Sequence, residues 1–185
     1  NPANFTQEDK QYIIEDDGSS TAAAWTVSGA NSKVIIETGI GFTVTNGNTV
    51  TASIELEGTG AITIDDGTNP TLSVISSTST VTYSTNAASI ETTTYGNLVI
   101  DKALALSGDI TVSGALTLND VLTLNGNILT LDGTIAGAST ISGSNASDII
   151  IGGTGALGTI QFTTGNELLE NLTINRTTSG TVTLG

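Results

Sequence analysis

The chain has 185 residues, 18 acidic and 4 basic, for a formal net charge of −14, and it contains neither histidine nor cysteine. A nucleic-acid binder needs clustered Lys/Arg to displace counterions from phosphates, whereas Lys10, Lys33, Lys102 and Arg176 are scattered, so nucleic acids and anionic membrane surfaces are poor partners. The missing residue types exclude a Ser-His-Asp triad, imidazole or thiolate metal sites and any disulfide framework.

The length suits one sizeable domain or a segment of a repeat array. At 37% hydrophobic residues the chain is too apolar for disorder, yet no run nears the roughly 18 residues of a membrane-spanning helix. No leader precedes Asn1, which fits a mature form or an excised piece. Richness in Thr, Gly and Asn, with the acidity, points to an extracellular setting.

Residues 1–20 hold one short apolar cluster, Tyr12–Ile14, and read as a lead-in segment or first partial rung. From Trp25 onward apolar and polar residues alternate with period 2. The apolar members are Trp25/Val27, Val34/Ile36, Phe42/Val44, Ile54/Leu56, Ile62/Ile64, Leu72/Val74 and Val81/Tyr83. After a polar stretch come Leu98/Ile100 and Leu104/Leu106. Next is SGDITVSGALTLNDVLTLNGNILTLDG (107–133), with Ile110/Val112, Leu116/Leu118, Leu122/Leu124 and Leu129/Leu131 following one another at short, even steps. Ile149/Ile151, Ile160/Phe162, Leu172/Ile174 and Val182/Leu184 complete the series.

Alternation over three to five residues, bounded by Gly, Asn, Asp or Ser, marks short strands, and helix signals are nearly absent. A meander would show two-residue turns between longer strands. The spacing instead predicts winding: Leu98, Leu116 and Ile135 recur at a nearly constant step, and Leu104, Leu122 and Ile141 repeat it. The expected fold is all-β: a single-stranded parallel β-helix, or β-solenoid, over 21–185, continuing beyond the fragment. It has about three short strands per coil of about 18–20 residues and about 8–10 coils. The common crossover hand makes it right-handed. Stacked coils bury the aliphatics as ladders while Thr, Ser and Asn face water. One coil cannot offset its own ordering entropy, so several must stack. A longer repeat overlies the short one: NLVIDK (97–102) recurs as NLTINR (171–176), a distance read as about four coils.

The segments AAAWTVSGANSKVII (22–36), TYGNLVID (94–101), the LTLNGNxLTLxGTI run (122–135) and 149–185 resemble a repeat module of very large Bacteroidota cell-surface proteins. That resemblance implies a secreted, adhesin-like protein exported by type IX secretion.

Paired carboxylates could in principle serve glycoside hydrolysis or hold calcium. Asp16/Asp17 and Asp65/Asp66 sit in turn sequences, and Glu55/Glu57 alternate with Ile54 and Leu56, pointing outward. None fits a calcium-loop pattern, and structural or solubilising roles explain them better. GGTGALGT (152–159) looks like a phosphate-cradling loop but lacks the Lys and the following helix. The sequence therefore assigns no catalytic, cofactor-binding or metal residue and is read as non-enzymatic.

The expected function is a rigid spacer or stalk in a long surface protein or fibre. Its partners would be neighbouring repeat modules or copies of itself end to end. The alternative is a carbohydrate- or surface-binding module that meets glycans, or a host or solid surface, through outward Thr/Asn ladders. Thr111, Thr117, Thr123 and Thr130 are expected on different sides of the coil, which disfavours a flat ice-binding array. No atypical polar cap follows Arg176, so a further module is expected to dock on the rung at 181–185.

Overall fold

The computed structural model describes residues 4–6, 11–19, 25–28, 31–177 and 180–185. Lys10, the Trp25 side chain and parts of the lead-in segment lie outside the described residues. All regular structure among them is β-strand, and the strands pair in parallel as a β-solenoid of about eight turns with about 19 residues each. The chain forms two compact units, Asn1–Ala88 and Ser89–Gly185.

In the first unit, β1 (Asn4–Thr6), β2 (Gln11–Ile14) and β3 (Gly18–Ser19) make one turn. Then follow β4 (Trp25–Ser28), β5 (Lys33–Ile36) and β6 (Gly41–Thr45), and next β7 (Val50–Thr51), β8 (Ser53–Leu56) and β9 (Ala61–Asp65). β10 (Thr71–Ile75) and β11 (Thr80–Tyr83) close the unit. Three faces result: β1–β4–β7, β2–β5–β8–β10 and β3–β6–β9–β11. Tyr12, Val34, Ile54 and Leu72 stack in one register, and the step between them shortens along the unit. The strands of 4–19 thus already stack on the turn that follows them.

In the second unit the turns are β12 (Thr94–Tyr95), β13 (Asn97–Ile100) and β14 (Leu104–Ala105), then β15 (Ile110–Val112), β16 (Ala115–Leu118) and β17 (Leu122–Thr123). β18 (Ile128–Leu131), β19 (Thr134–Gly137) and β20 (Ile141–Ser142) form the next. β21 (Asp148–Ile151) and β22 (Gly158–Ile160), then β23 (Asn171–Ile174) and β24 (Val182–Leu184), complete it. The expected columns are present: Leu98–Leu116–Ile135, Leu104–Leu122–Ile141 and Ile110–Leu129 are paired neighbours. Coils lengthen toward the end: in the column Val112, Leu131, Ile151, Ile174 each step is longer than the one before. The extra residues loop out at corners, which a parallel stack tolerates because loop length costs little entropy.

The inner ladder is dry. Ile36, Val44, Ile54, Ile64, Leu98, Val112, Leu116, Leu122, Leu129 and Ile151 have no measurable exposure. Val50, Ile90, Tyr95 and Leu157 join the core without belonging to an alternating pair.

Two expectations need correction. Val74 is not inward: a bulge at Ser73 makes Leu72 face Ile54 but sets Val74 against the outward Glu55, leaving Val74 52% exposed. One extra residue flips every later side chain on a strand of period 2. The longer repeat is also not a whole number of coils. Its first copy forms β13 on one face and its second forms β23 on another, in register with β12, β15, β18 and β21.

Candidate binding surfaces

In each unit the stacked coils offer corners and outer faces. At the corners, the carboxylates hold neighbouring turns together. Gly41 N–H donates to the Asp17 carboxylate at 2.7 Å. Asp65 and Asp66, adjacent in sequence, serve different turns: Asp65 accepts from the Asn86 backbone and side-chain amides, while Asp66 accepts from Gly47 N–H and the Thr49 hydroxyl. In the second unit Asp109 accepts from Ile128 N–H, and Asp148 from both nitrogens of Asn171. Among the described residues no three carboxylates converge on a point that could hold a metal.

Burial pushes the Asp66 carboxyl up, but donors from Thr49, Gly47, Gly67 and Thr68 outweigh it, so the group titrates below its ordinary 3.8. A carboxyl depressed in the folded state contributes its stability fully above the unfolded value and loses it as pH falls through the folded value. Asp66→Asn is therefore expected to be less stable than the parent near neutral pH, with the gap closing as pH falls below 3.8. Urea unfolding midpoints across that range check it; a constant gap would assign the loss to packing.

The glycine-rich stretch 152–159 does not cradle an anion. Its carbonyls turn toward Arg176, whose guanidinium donates to Gly152 O, Thr154 O and Gly155 O at 2.8–2.9 Å and to Gly133 O one turn further back. A planar fork of donors suits several carbonyls at once, as a Lys would not. Glycines recur at this corner because the turns nearly touch: a Cβ on Gly133 would lie on the Gly114 carbonyl, and one on Gly153 (φ 70°) on the Asp132 carbonyl.

On the outer faces the threonines depart from expectation. Thr94, Thr111 and Thr130 are paired neighbours in one column of β12, β15 and β18, so Thr111 and Thr130 share a face. Only Thr117 and Thr123 lie on other faces, in β16 and β17. The column stops at Ile150. With Thr92, Asp109 and Ile128 it lines an open groove of about 510 Å³. Register explains it: 111 and 130 are one coil apart, whereas 117 and 123 fall within the same coil.

A second groove, of about 470 Å³, runs over β2, β5, β8 and β10 of the first unit. Its polar lining includes Gln11, Lys33, Ser53, Glu55 and Ser73. Lys33 and Glu55 form an ion pair at 2.7 Å, both partly buried, and the Ser73 hydroxyl donates to Ile54 O. The outward column beside it reads Ile13, Ile35, Glu55, Val74. Glu55 points outward as its alternation predicts, while Glu57 falls just past the strand end. Sequence reasoning missed this group because the bulge at Ser73 leaves the alternation intact in the one-dimensional pattern. The one-coil offset between Lys33 and Glu55 was its only sequence signal.

Large exposed apolar side chains among the described residues occur in just two places. Ile13 and Val74 flank the polar groove; Leu172, Ile174 and Leu184 belong to the rung of β23 and β24, and Leu168 to the loop that leads into β23. Leu172 and Ile174 were expected to be inward and do continue the column of Ile149 and Ile151, yet they are 37% and 53% exposed because no strand lies over them among the described residues. Comparison with protein-family models, curated proteins and solved structures finds no match.

Proposed function

We propose that the chain is a structural and adhesive module of a long extracellular surface protein or fibre, with its stacked coils acting as a rigid spacer or stalk. The rung of β23 and β24 carries this reading. Leu172 and Ile174 stack on fully buried Ile149 and Ile151, but no strand among the described residues covers their other side, nor that of Leu184 on β24. An open parallel rung also presents unpaired backbone N–H and C=O groups, a template for another strand. A further rung of the same alternation would cover both. A neighbouring module, or a second copy stacked end to end, supplies such a rung, while a net charge of −14 opposes side-to-side clumping.

The module is read as carrying no reaction of its own: the usual general base and thiol nucleophile are missing from the sequence, and Asp65 and Asp66 accept hydrogen bonds from other turns. Extracellular placement follows from composition and from the resemblance to Bacteroidota surface repeats, with type IX secretion as the export route that resemblance implies.

Sedimentation velocity at rising concentration tests the stacking. The expected result is reversible association that Ile174→Asp abolishes, because a charge at that position would have to be buried in the joint. A protein that stays monomeric throughout, or association untouched by Ile174→Asp, would overturn the reading.

A further inference from the structure

We propose that the outer face of β2, β5, β8 and β10, where exposed Ile13 and Val74 flank the Lys33–Glu55 ion pair in a polar groove, binds an uncharged glycan chain laid across the strands. Three observations meet there. First, apolar residues stand at outward positions of this face: Ile13 and Val74, at 50% and 52% exposure, and Ile35, 7% exposed, in the same column. Second, Val74 is aimed outward by a β-bulge, a device that re-aims side chains and is concentrated at functional sites. Third, the groove between them is lined with groups that donate and accept, Gln11, Ser53 and Ser73, around a partly buried ion pair.

That mixture selects the ligand. A pyranose chain offers C–H faces to apolar side chains and a rim of hydroxyls that both donate and accept. Glu55 can accept from such hydroxyls, and Lys33, whose charge Glu55 already balances at 2.7 Å, can donate to them. An anionic polymer is disfavoured because the one cation among the described residues of the groove is paired and the chain as a whole is strongly acidic. A compact, enclosed ligand is disfavoured too, since the groove is shallow and spans four strands. Three inter-strand steps give about 14 Å of track, which suits an extended oligosaccharide. The threonine column of the second unit is the weaker candidate: among the described residues it has no ion pair, and its outward apolar residues Ile128 and Ile150 are less exposed than Ile13 and Val74.

The inference stands apart from the stalk reading, because it concerns a lateral face and is read by a different assay. The test is titration calorimetry of the full chain against soluble hexamers of β-glucan, xylan, mannan and chitin, with heparin as the anionic control. At least one neutral hexamer is expected to bind. Glu55→Gln and Val74→Ser should each weaken it about tenfold, the size of one lost charge-assisted or well-packed contact, with unchanged melting. Leu168→Ser, in the loop before β23, should leave binding as it was. No binding by any neutral hexamer overturns the proposal. So does binding that both groove variants leave intact, or tighter binding of heparin. A lateral dimer dissolved by Val74→Ser would assign the face to protein contact instead, and thermal hysteresis without glycan binding would assign it to ice.

Discussion

Leu118→Asp is expected to destabilise the second unit by about 3–5 kcal/mol, the cost of leaving a buried charge without a partner. Leu118 is 1% exposed and stacks between Ile100 and Gly137 on the inner side of β16. Its neighbour Thr117 faces outward, between Val99 and Ala136. Thr117→Asp should therefore cost no more than about 1 kcal/mol, mostly from the poor strand preference of Asp. With a total stability on the order of 5–15 kcal/mol, the first change approaches the unfolding limit and the second does not. Urea midpoints for the two variants make the comparison, and equal shifts would contradict the facing of β16. Because each coil supports the next, the Leu118 defect should also weaken β19 above it and β13 below it, which hydrogen exchange would report.

The second large effect is expected at a corner. Thr134 N–H donates to the Gly114 carbonyl, holding one turn to the previous one, and a Cβ at Gly133 would overlap that same carbonyl. Gly133→Val must push the two turns apart and lose the bond, an expected cost of about 3–4 kcal/mol. It also displaces the Gly133 carbonyl that Arg176 reaches from two turns on. Gly155→Ala is the matched control: its φ of 75° is strained for alanine, but nothing lies near the added carbon. That change should cost about 1–2 kcal/mol. If the two variants unfold at the same urea concentration, backbone contact does not set the corner spacing.

The legible part of the fold lies where the chain is most regular. From Leu98 to Ile141 the near-constant step from coil to coil is visible in the sequence, and the columns it implies are the paired columns of the structure. Where the coils lengthen, the same reasoning loses its footing. The NLVIDK and NLTINR copies match letter for letter at half their positions yet lie on different faces, because corner loops between them change the length of each turn. The carboxylates tell the same story: Asp65 and Asp66 look like one paired site and are engaged by different turns.

By itself, then, the sequence determined the period-2 facing of most strands, the parallel winding and most of the core, since alternation is a property of a few consecutive residues and burial largely follows from it. What lies beside what on the outside was decided only by the tertiary structure. The stacking of Thr94, Thr111 and Thr130, the turning out of Val74 beside Glu55, and the reach of Arg176 back to Gly133 all depend on how much chain each corner absorbs. That length varies from turn to turn and is set by how closely the backbones approach, which leaves no periodic trace in the chain.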